Sequence, residues 1–204
     1  MSSPSSPTDL LALSSEAQRL LFSEARTANT FTDEPVTDDQ IRAIYELVKW
    51  APSAANTQPL RVVVVRSEAA RARLLPLMSK GNRDKTASAP VTAILAADTR
   101  FFEHWDRLLP YKQGGGASFE GSPDAEPMAR FNGALQAGYF LLGVRAAGLA
   151  AGPMAGFDKA GVDAEFFPDG RERSLLVVNI GRPGQDAWFD RLPRLEHDEV
   201  VTTL

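Results

Sequence analysis

The chain has no cysteine among its 204 residues. That one absence excludes disulfides, thiolate nucleophiles, Fe–S clusters and Cys-type zinc sites. Histidine is scarce too: only His104 and His197 could serve a Ser–His hydrolase or a histidine metal site. Glu103-His104-Trp105-Asp106 are adjacent in sequence, and neighbours on one turn rarely converge on one ion, so no metal site is expected. No apolar run approaches the roughly 18 residues of a membrane span. The first residues, Met1-Ser2-Ser3-Pro4-Ser5-Ser6-Pro7, lack the basic and apolar regions of a signal peptide. These features suit a cytoplasmic protein with no membrane partner. No Gly-Lys-Ser/Thr occurs, so there is no phosphate loop of the Walker type. There is no Gly-x-Ser-x-Gly elbow. Gly114-Gly115-Gly116 is followed by Phe119 where a dinucleotide fingerprint needs its third glycine. The formal net charge of −4 offers no basic field for nucleic acid.

What remains is an ordinary globular composition, 44% hydrophobic and 24% charged, long enough for one sizeable core. Residues 1–13 read as a disordered Ser/Pro-rich tail and residues 14–204 as one domain. Leu10, Leu13, Ala17, Leu20, Leu21 and Ala25 recur at helical spacing, with Ser15 and Gln18 as cap partners. Thr37 and Gln40 mark a second helix start, whose stripe is Ile41, Ile44, Tyr45, Leu47 and Val48. Leu60–Val65, Val91–Ala97 and Ser174–Ile180 are continuous apolar runs, as expected of strands covered on both faces. Glu68–Met78 reads as a helix shortened by Pro76, Ser79–Lys85 as a polar loop, and Ala151–Asp158 as a turn-rich loop. The span predicted for the longest helix is 128–149, with Gly148 at its C-terminal cap. Phe131, Leu135, Tyr139 and Leu142 share one side of it, beside Gly133, Ala134, Ala137 and Gly138. A short helix follows Asp158. Between Asp98 and Pro127 aromatics stand beside three glycines, which fits either a mobile lid or a locally packed insertion.

The most telling segment is Trp50-Ala51-Pro52-Ser53-Ala54-Ala55-Asn56-Thr57-Gln58-Pro59, which runs into the first strand. Ser53, Asn56 and Gln58 place uncharged donors and acceptors close together, as a planar heterocycle with N–H and C=O edges would need. The same residues could equally satisfy the backbone of a turn. With so few acid, base or nucleophile candidates, an enzyme built on this chain would draw its reactivity from a cofactor.

Four separated segments resemble FMN-dependent nitroreductases, in the family's order: Arg26-Thr27-Ala28-Asn29, Pro52 to Pro59, Gly152-Pro153-Met154-Ala155-Gly156-Phe157-Asp158 and Arg191-Leu192-Pro193-Arg194. Ala25-Arg26-Thr27, Lys49-Trp50, Gly152-Pro153-Met154, Gly156-Phe157-Asp158 and Arg191 to Leu195 are most similar to the malonic semialdehyde reductase branch, linked to pyrimidine degradation. The resemblance implies an α+β, three-layer αβα sandwich with a mixed, largely antiparallel sheet and a long central helix, assembled as an interlocked homodimer. It implies FMN as cofactor, NADH or NADPH as co-substrate, and ping-pong hydride transfer through flavin N5. Malonic semialdehyde is the implied acceptor, with nitroaromatics and quinones as alternatives, and a non-catalytic flavin binder as the remaining one. By the same resemblance Arg26, Thr27 and Arg191 hold the phosphate, with Asn29 standing where many relatives carry a basic residue and Arg194 as a compensating cation. Pro52, Ser53, Ala54 and Asn56 lie along the ring from the second subunit. Asn82 and Lys85 meet its pyrimidine edge. Pro153, Met154, Ala155 and Gly156 face the N5 side, with a backbone N–H of Ala155 or Gly156 bonding N5. No side chain is expected to react covalently.

Overall fold

Val91–Asp98 (β2) is buried along its whole length, because it pairs on both sides and is covered on both faces. In the computed structural model, which describes residues 11–204, β2 lies between Leu60–Val65 (β1) and Glu172–Gly181 (β4). Ala150–Met154 (β3) pairs on the far side of β4, so the strand order is β1-β2-β4-β3. Every pairing is antiparallel, with Val63 opposite Ile94, Ile94 opposite Val177, and Pro153 opposite Val178. Most of the Ser/Pro tail expected over residues 1–13, with Leu10, lies outside the described residues.

Side chains alternate across the sheet, as the strand period of two requires. Val91, Ala93 and Leu95 of β2 join Val178 and Ile180 on one face, against Asp38–Val48 (α2) and Ala125–Ala146 (α6). Ile94, Ala96 and Val177 join Leu74, Met78 and Val162 on the other. Those three come from Glu68–Leu74 (α3), the turn after it, and Lys159–Phe166 (α7). Both faces are thus covered, and the architecture is the expected three-layer α+β sandwich.

The capping box of α2 forms as expected: the Thr37 N–H donates to Gln40 Oε1 at 2.8 Å, and Thr37 Oγ1 accepts from the Gln40 N–H at 3.1 Å. Pro76 sits in a 3₁₀ turn after α3, and Asp158 caps α7 by accepting from the Gly161 N–H. Helix α6 has 22 residues, about 33 Å of axis. Gly148 follows it with a φ of 70°, in the left-handed region a C-terminal cap uses. Gly143 is where α2 and α6 touch, since a Cβ there would overlap Val48 Cγ1. Gly138 faces open space, and the apolar stripe of Phe131, Leu135 and Tyr139 points away from the core, 66%, 42% and 43% exposed.

Three expectations need correction. Ser79–Lys85 is not a loop: Lys80–Ser88 forms a helix, α4. It escapes periodicity because its one buried residue is Thr86, and tertiary contacts of Asn82 and Arg83 hold it instead. The start of the 151–158 loop is strand β3. Pro153 is tolerated because the strand is an edge, and Gly152 is required because a Cβ would lie 2.6 Å from the Ala28 carbonyl. The first helix is shorter than its pattern: Ser15–Gln18 (α1) is capped by Ser14 rather than Ser15 and passes into a π turn over Arg19–Ser23. Within residues 98–127, Trp105 Nε1 donates to the Lys112 carbonyl at 2.8 Å. Gly115 and Gly116 press on the indole, and Phe101 meets Phe119 edge-on at 5.2 Å. Local packing thus holds Phe101, Trp105 and Phe119, while Tyr111 is exposed; the segment includes the short helix Trp105–Leu108 (α5).

Candidate functional site

The segment 26–29 runs beside the start of β3. The Ala28 N–H donates to the Ala151 carbonyl at 3.1 Å and the Asn29 N–H to the Ala187 carbonyl at 3.0 Å. These bonds stitch it between β3 and the stretch after β4. Arg26 Nη1 reaches the Phe189 carbonyl at 3.2 Å. The result is a cleft of about 230 Å³ where Arg26, Thr27 and Asn29 meet Arg191 and Arg194 from the far end of the chain, with Asp190 as its carboxylate. Arg191 makes no ion pair among the described residues. Asn29 instead braces the backbone, its amide donating to the Thr27 and Ala187 carbonyls. Arg194 Nη1 donates to the Leu192 and Pro193 carbonyls at 2.9 Å. The donor set suits a phosphate, since guanidinium forks match its oxygens two at a time.

At the other end of β3, Asn82 and Lys85 lie one turn apart on α4. Asn82 Nδ2 donates to the Gly156 carbonyl at 2.8 Å, and the Ser79 N–H donates to the same oxygen at 3.1 Å. Gly156 permits this approach: a Cβ there would lie 2.8 Å from Asn82 Nδ2. Asn82 thus holds the loop of Pro153, Met154, Ala155 and Gly156 in place. Ala155 is exposed, Met154 buried, and Lys85 half-buried without an ion pair among the described residues. The 26–29 segment and this loop flank one strand, so the structure brings the two expected groups together.

The Pro52–Asn56 loop is elsewhere. It precedes β1, the edge strand opposite β3; the two strands are separated by three spacings, about 14 Å. Ala55, Asn56 and Gln58 have φ of 49°, 49° and 43°, a left-handed conformation that costs an L-residue roughly 1–2 kcal/mol each. The polar side chains sustain it. Ser53 Oγ accepts the Gln58 N–H, Gln58 Nε2 donates to Asn56 Oδ1, and Asn56 Nδ2 donates to the Leu108 carbonyl. Of the two readings of this trio, the backbone-satisfying one is what the single chain displays. Pro52 and Ala54 remain exposed.

Sequence reasoning missed two anchors of this loop. Asn132 and Gln136, buried one turn apart on α6, accept the Ala54 N–H at 2.7 Å and the Leu60 N–H at 2.9 Å. Their signal was two amides at i, i+4 inside an apolar helix. It also missed Asp98, fully buried at the end of β2, where a charge closes an otherwise apolar run. Arg171 grips both its oxygens at 2.8 Å, Arg61 bonds Oδ2, and the Arg100 N–H bonds Oδ1. Burial pushes this carboxyl up, but the Arg171 hydrogen bonds, the Arg61 charge and the Arg100 N–H together hold it below the usual value. The cluster roots the 98–127 segment. Beside it a cavity of about 530 Å³ opens along β1, lined by Lys49, Arg61, His104 and Arg107 over an apolar floor. Burial there, with the charges of Arg61 and Arg107, depresses the His104 pKa.

Sequence and fold together match one family. The nitroreductase family profile covers residues 23–182, and the chain belongs to that family. A Streptomyces griseus relative, provisionally named NADH dehydrogenase/NAD(P)H nitroreductase, is 59% identical over 195 residues, 95% of this chain and 99% of its own. A relative of the same name from Leptothrix cholodnii is 48% identical over 194 residues, 95% and 98% of the two chains. Among solved structures, a nitroreductase family protein of Streptococcus pneumoniae superposes with a TM-score of 0.77 at 25% identity, over 93% of this chain and 98% of that one. A provisionally described nitroreductase of Exiguobacterium sibiricum, crystallised with FMN, has the same fold, with a TM-score of 0.79 at 20% identity over 94% and 98%.

Proposed function

We propose that residues 14–204 form one FMN-binding domain, that two copies enclose the cofactor, and that the protein is an NAD(P)H-dependent oxidoreductase of the cytoplasm. The observation that carries this is the arginine cleft at one end of β3 with the Gly156 loop at the other. Arg26, Thr27 and Arg191 bind the phosphate, while Asn29 and Arg194 shape the cleft wall. Lys85 supplies positive charge to the pyrimidine edge, where negative charge collects on reduction. Asn82 aims the Ala155 and Gly156 backbone toward the N5 edge. Bound FMN supplies the hydride chemistry that a chain without cysteine and with two histidines lacks.

The homodimer rests on two supports. Pro52, Ser53, Ala54 and Asn56 sit on the wrong edge of the sheet to reach the Gly156 loop of their own chain, so they serve a second copy's site. Phe131, Leu135 and Tyr139, with Trp50 at 80% exposure and Phe189 and Leu192 above 70%, expose apolar surface that a partner would cover.

The acceptor we propose is malonic semialdehyde, reduced to 3-hydroxypropionate, on the strength of the branch resemblance. Nitroaromatics and quinones are the second reading, favoured by the names of the relatives. The purified protein should show a flavin absorbance spectrum that NADH or NADPH bleaches without oxygen. Reoxidation by malonic semialdehyde should outpace that by a nitroaromatic. A colourless protein would refute the cofactor assignment, a flavin that stays yellow would make it a mere binder, and faster nitro reduction by orders of magnitude would favour the second reading.

A further inference from the structure

Beneath the proposed flavin site lies a small polar cluster sealed from water. Thr86 of α4 and Asn179 of β4 are fully buried, and Thr92 of β2 nearly so. Thr92 Oγ1 donates to Asn179 Oδ1 at 3.0 Å. Asn179 Nδ2 donates to Thr86 Oγ1 at 3.4 Å, and Thr86 Oγ1 in turn donates to Met154 Sδ at 3.8 Å. The Asn179 amide also approaches that sulfur at 4.0 Å. A chain of buried polar groups that ends on a thioether, a weak acceptor, is a costly way to fill a core. Apolar side chains of the same shape would fill it at lower cost.

What the cluster offers in return is direction. Thr86 is the only buried residue of α4. An apolar contact at that point would let the helix roll, because hydrophobic burial has no preferred orientation. A hydrogen-bonded hydroxyl fixes the roll. Asn82 is one turn before Thr86, and Lys85 is its neighbour, so the roll decides where both side chains project. The far end of the cluster is Met154, two residues before Gly156. The chain of bonds therefore joins α4 to the end of β3, the two elements that form the proposed ring-binding wall.

We propose that Thr86 and Asn179 are positioning residues of the flavin site: their buried hydrogen bonds set the roll of α4 against β3 and so hold Lys85 and Asn82 in register with the Gly156 loop. This rests on the FMN reading above. Displacing the Lys85 ammonium removes charge that favours reduced flavin, so the midpoint potential falls when the bonds are cut.

The test compares the wild-type holoprotein with Thr86→Val, which keeps shape and loses the hydroxyl, and Thr86→Ser, which keeps the hydroxyl. Thr86→Val is expected to shift the flavin equilibrium about tenfold toward the oxidised form, ~30 mV for a two-electron couple, and to weaken FMN binding several-fold. Thr86→Ser is expected to retain the wild-type potential. If Thr86→Val gives no folded protein, Thr86→Ala carries the same expectation. A variant with a lowered melting temperature but wild-type potential and FMN affinity would overturn the positioning role and leave the FMN reading standing. A wild-type protein that binds no flavin would overturn the FMN reading itself.

Discussion

Asp98 shows how one side chain can organise a region of the site. It is the fully buried carboxylate of an ion-pair cluster whose arginines, Arg61 and Arg171, are about one-fifth to one-third exposed. Removing one partner of a buried pair strands the other charge, which costs about 3–5 kcal/mol in a closed interior. Partial exposure of the guanidiniums reduces that, and Asp98→Asn is expected to cost about 2–3 kcal/mol in urea unfolding. The pH dependence has a definite sign. The folded-state pKa lies below the usual 3.8, so ionised Asp98 contributes fully above that value and loses its contribution as pH falls through the lower, folded value. Wild type should therefore lose stability below about pH 4 more steeply than Asp98→Asn. Parallel acid titrations would contradict the role. None of this was legible beforehand. A single aspartate after Ala97 marks a strand end, and which arginines meet it depends on β1 and β4 arriving from 37 and 73 residues away.

Legibility differs among the elements for physical reasons. Helix α2 could be read from its capping box and from Ile44 and Val48, the buried part of its stripe. Strands β1, β2 and β4 could be read from their apolar runs, although only β2 is buried along its whole length and β1, an edge strand, is mostly half-buried. Helix α4 could not, because one buried threonine leaves no periodicity to detect. Strand β3 was hidden by Gly152 and Pro153, which signal a turn in sequence and suit an edge strand squeezed against Ala28. The same closeness recurs where α2 crosses α6. Gly143 lets Val48 and Ile44 approach the helix backbone. Gly143→Ala should destabilise by about 1–3 kcal/mol through overpacking, despite the better helix propensity of alanine. A rise in the urea midpoint would show that the crossing can relax and that the glycine is not needed for contact.

On the scale of the whole molecule, the motif residues fall into two groups. Arg26, Thr27, Asn29, Arg191 and Arg194 gather in one cleft, and Asn82, Lys85 and Pro153–Gly156 gather beside the same strand, so most of the candidate site was foreshadowed in sequence. Pro52–Asn56 lies across the sheet. Periodicity and spacing do not reveal that separation, which follows from the strand order; only the family resemblance implied it. The arrangement makes sense if each chain lends its loop to the other chain's cleft. Mixed dimers test this most directly. One chain carries Arg191→Ala, which disables its cleft, and the other carries Ala54→Trp, which blocks its loop. The two chains bear different affinity tags, so that only the hybrid is recovered. If sites are shared, both parental homodimers lose FMN, while the hybrid keeps one intact site and binds one FMN per pair. If each site is built within one chain, the hybrid binds none.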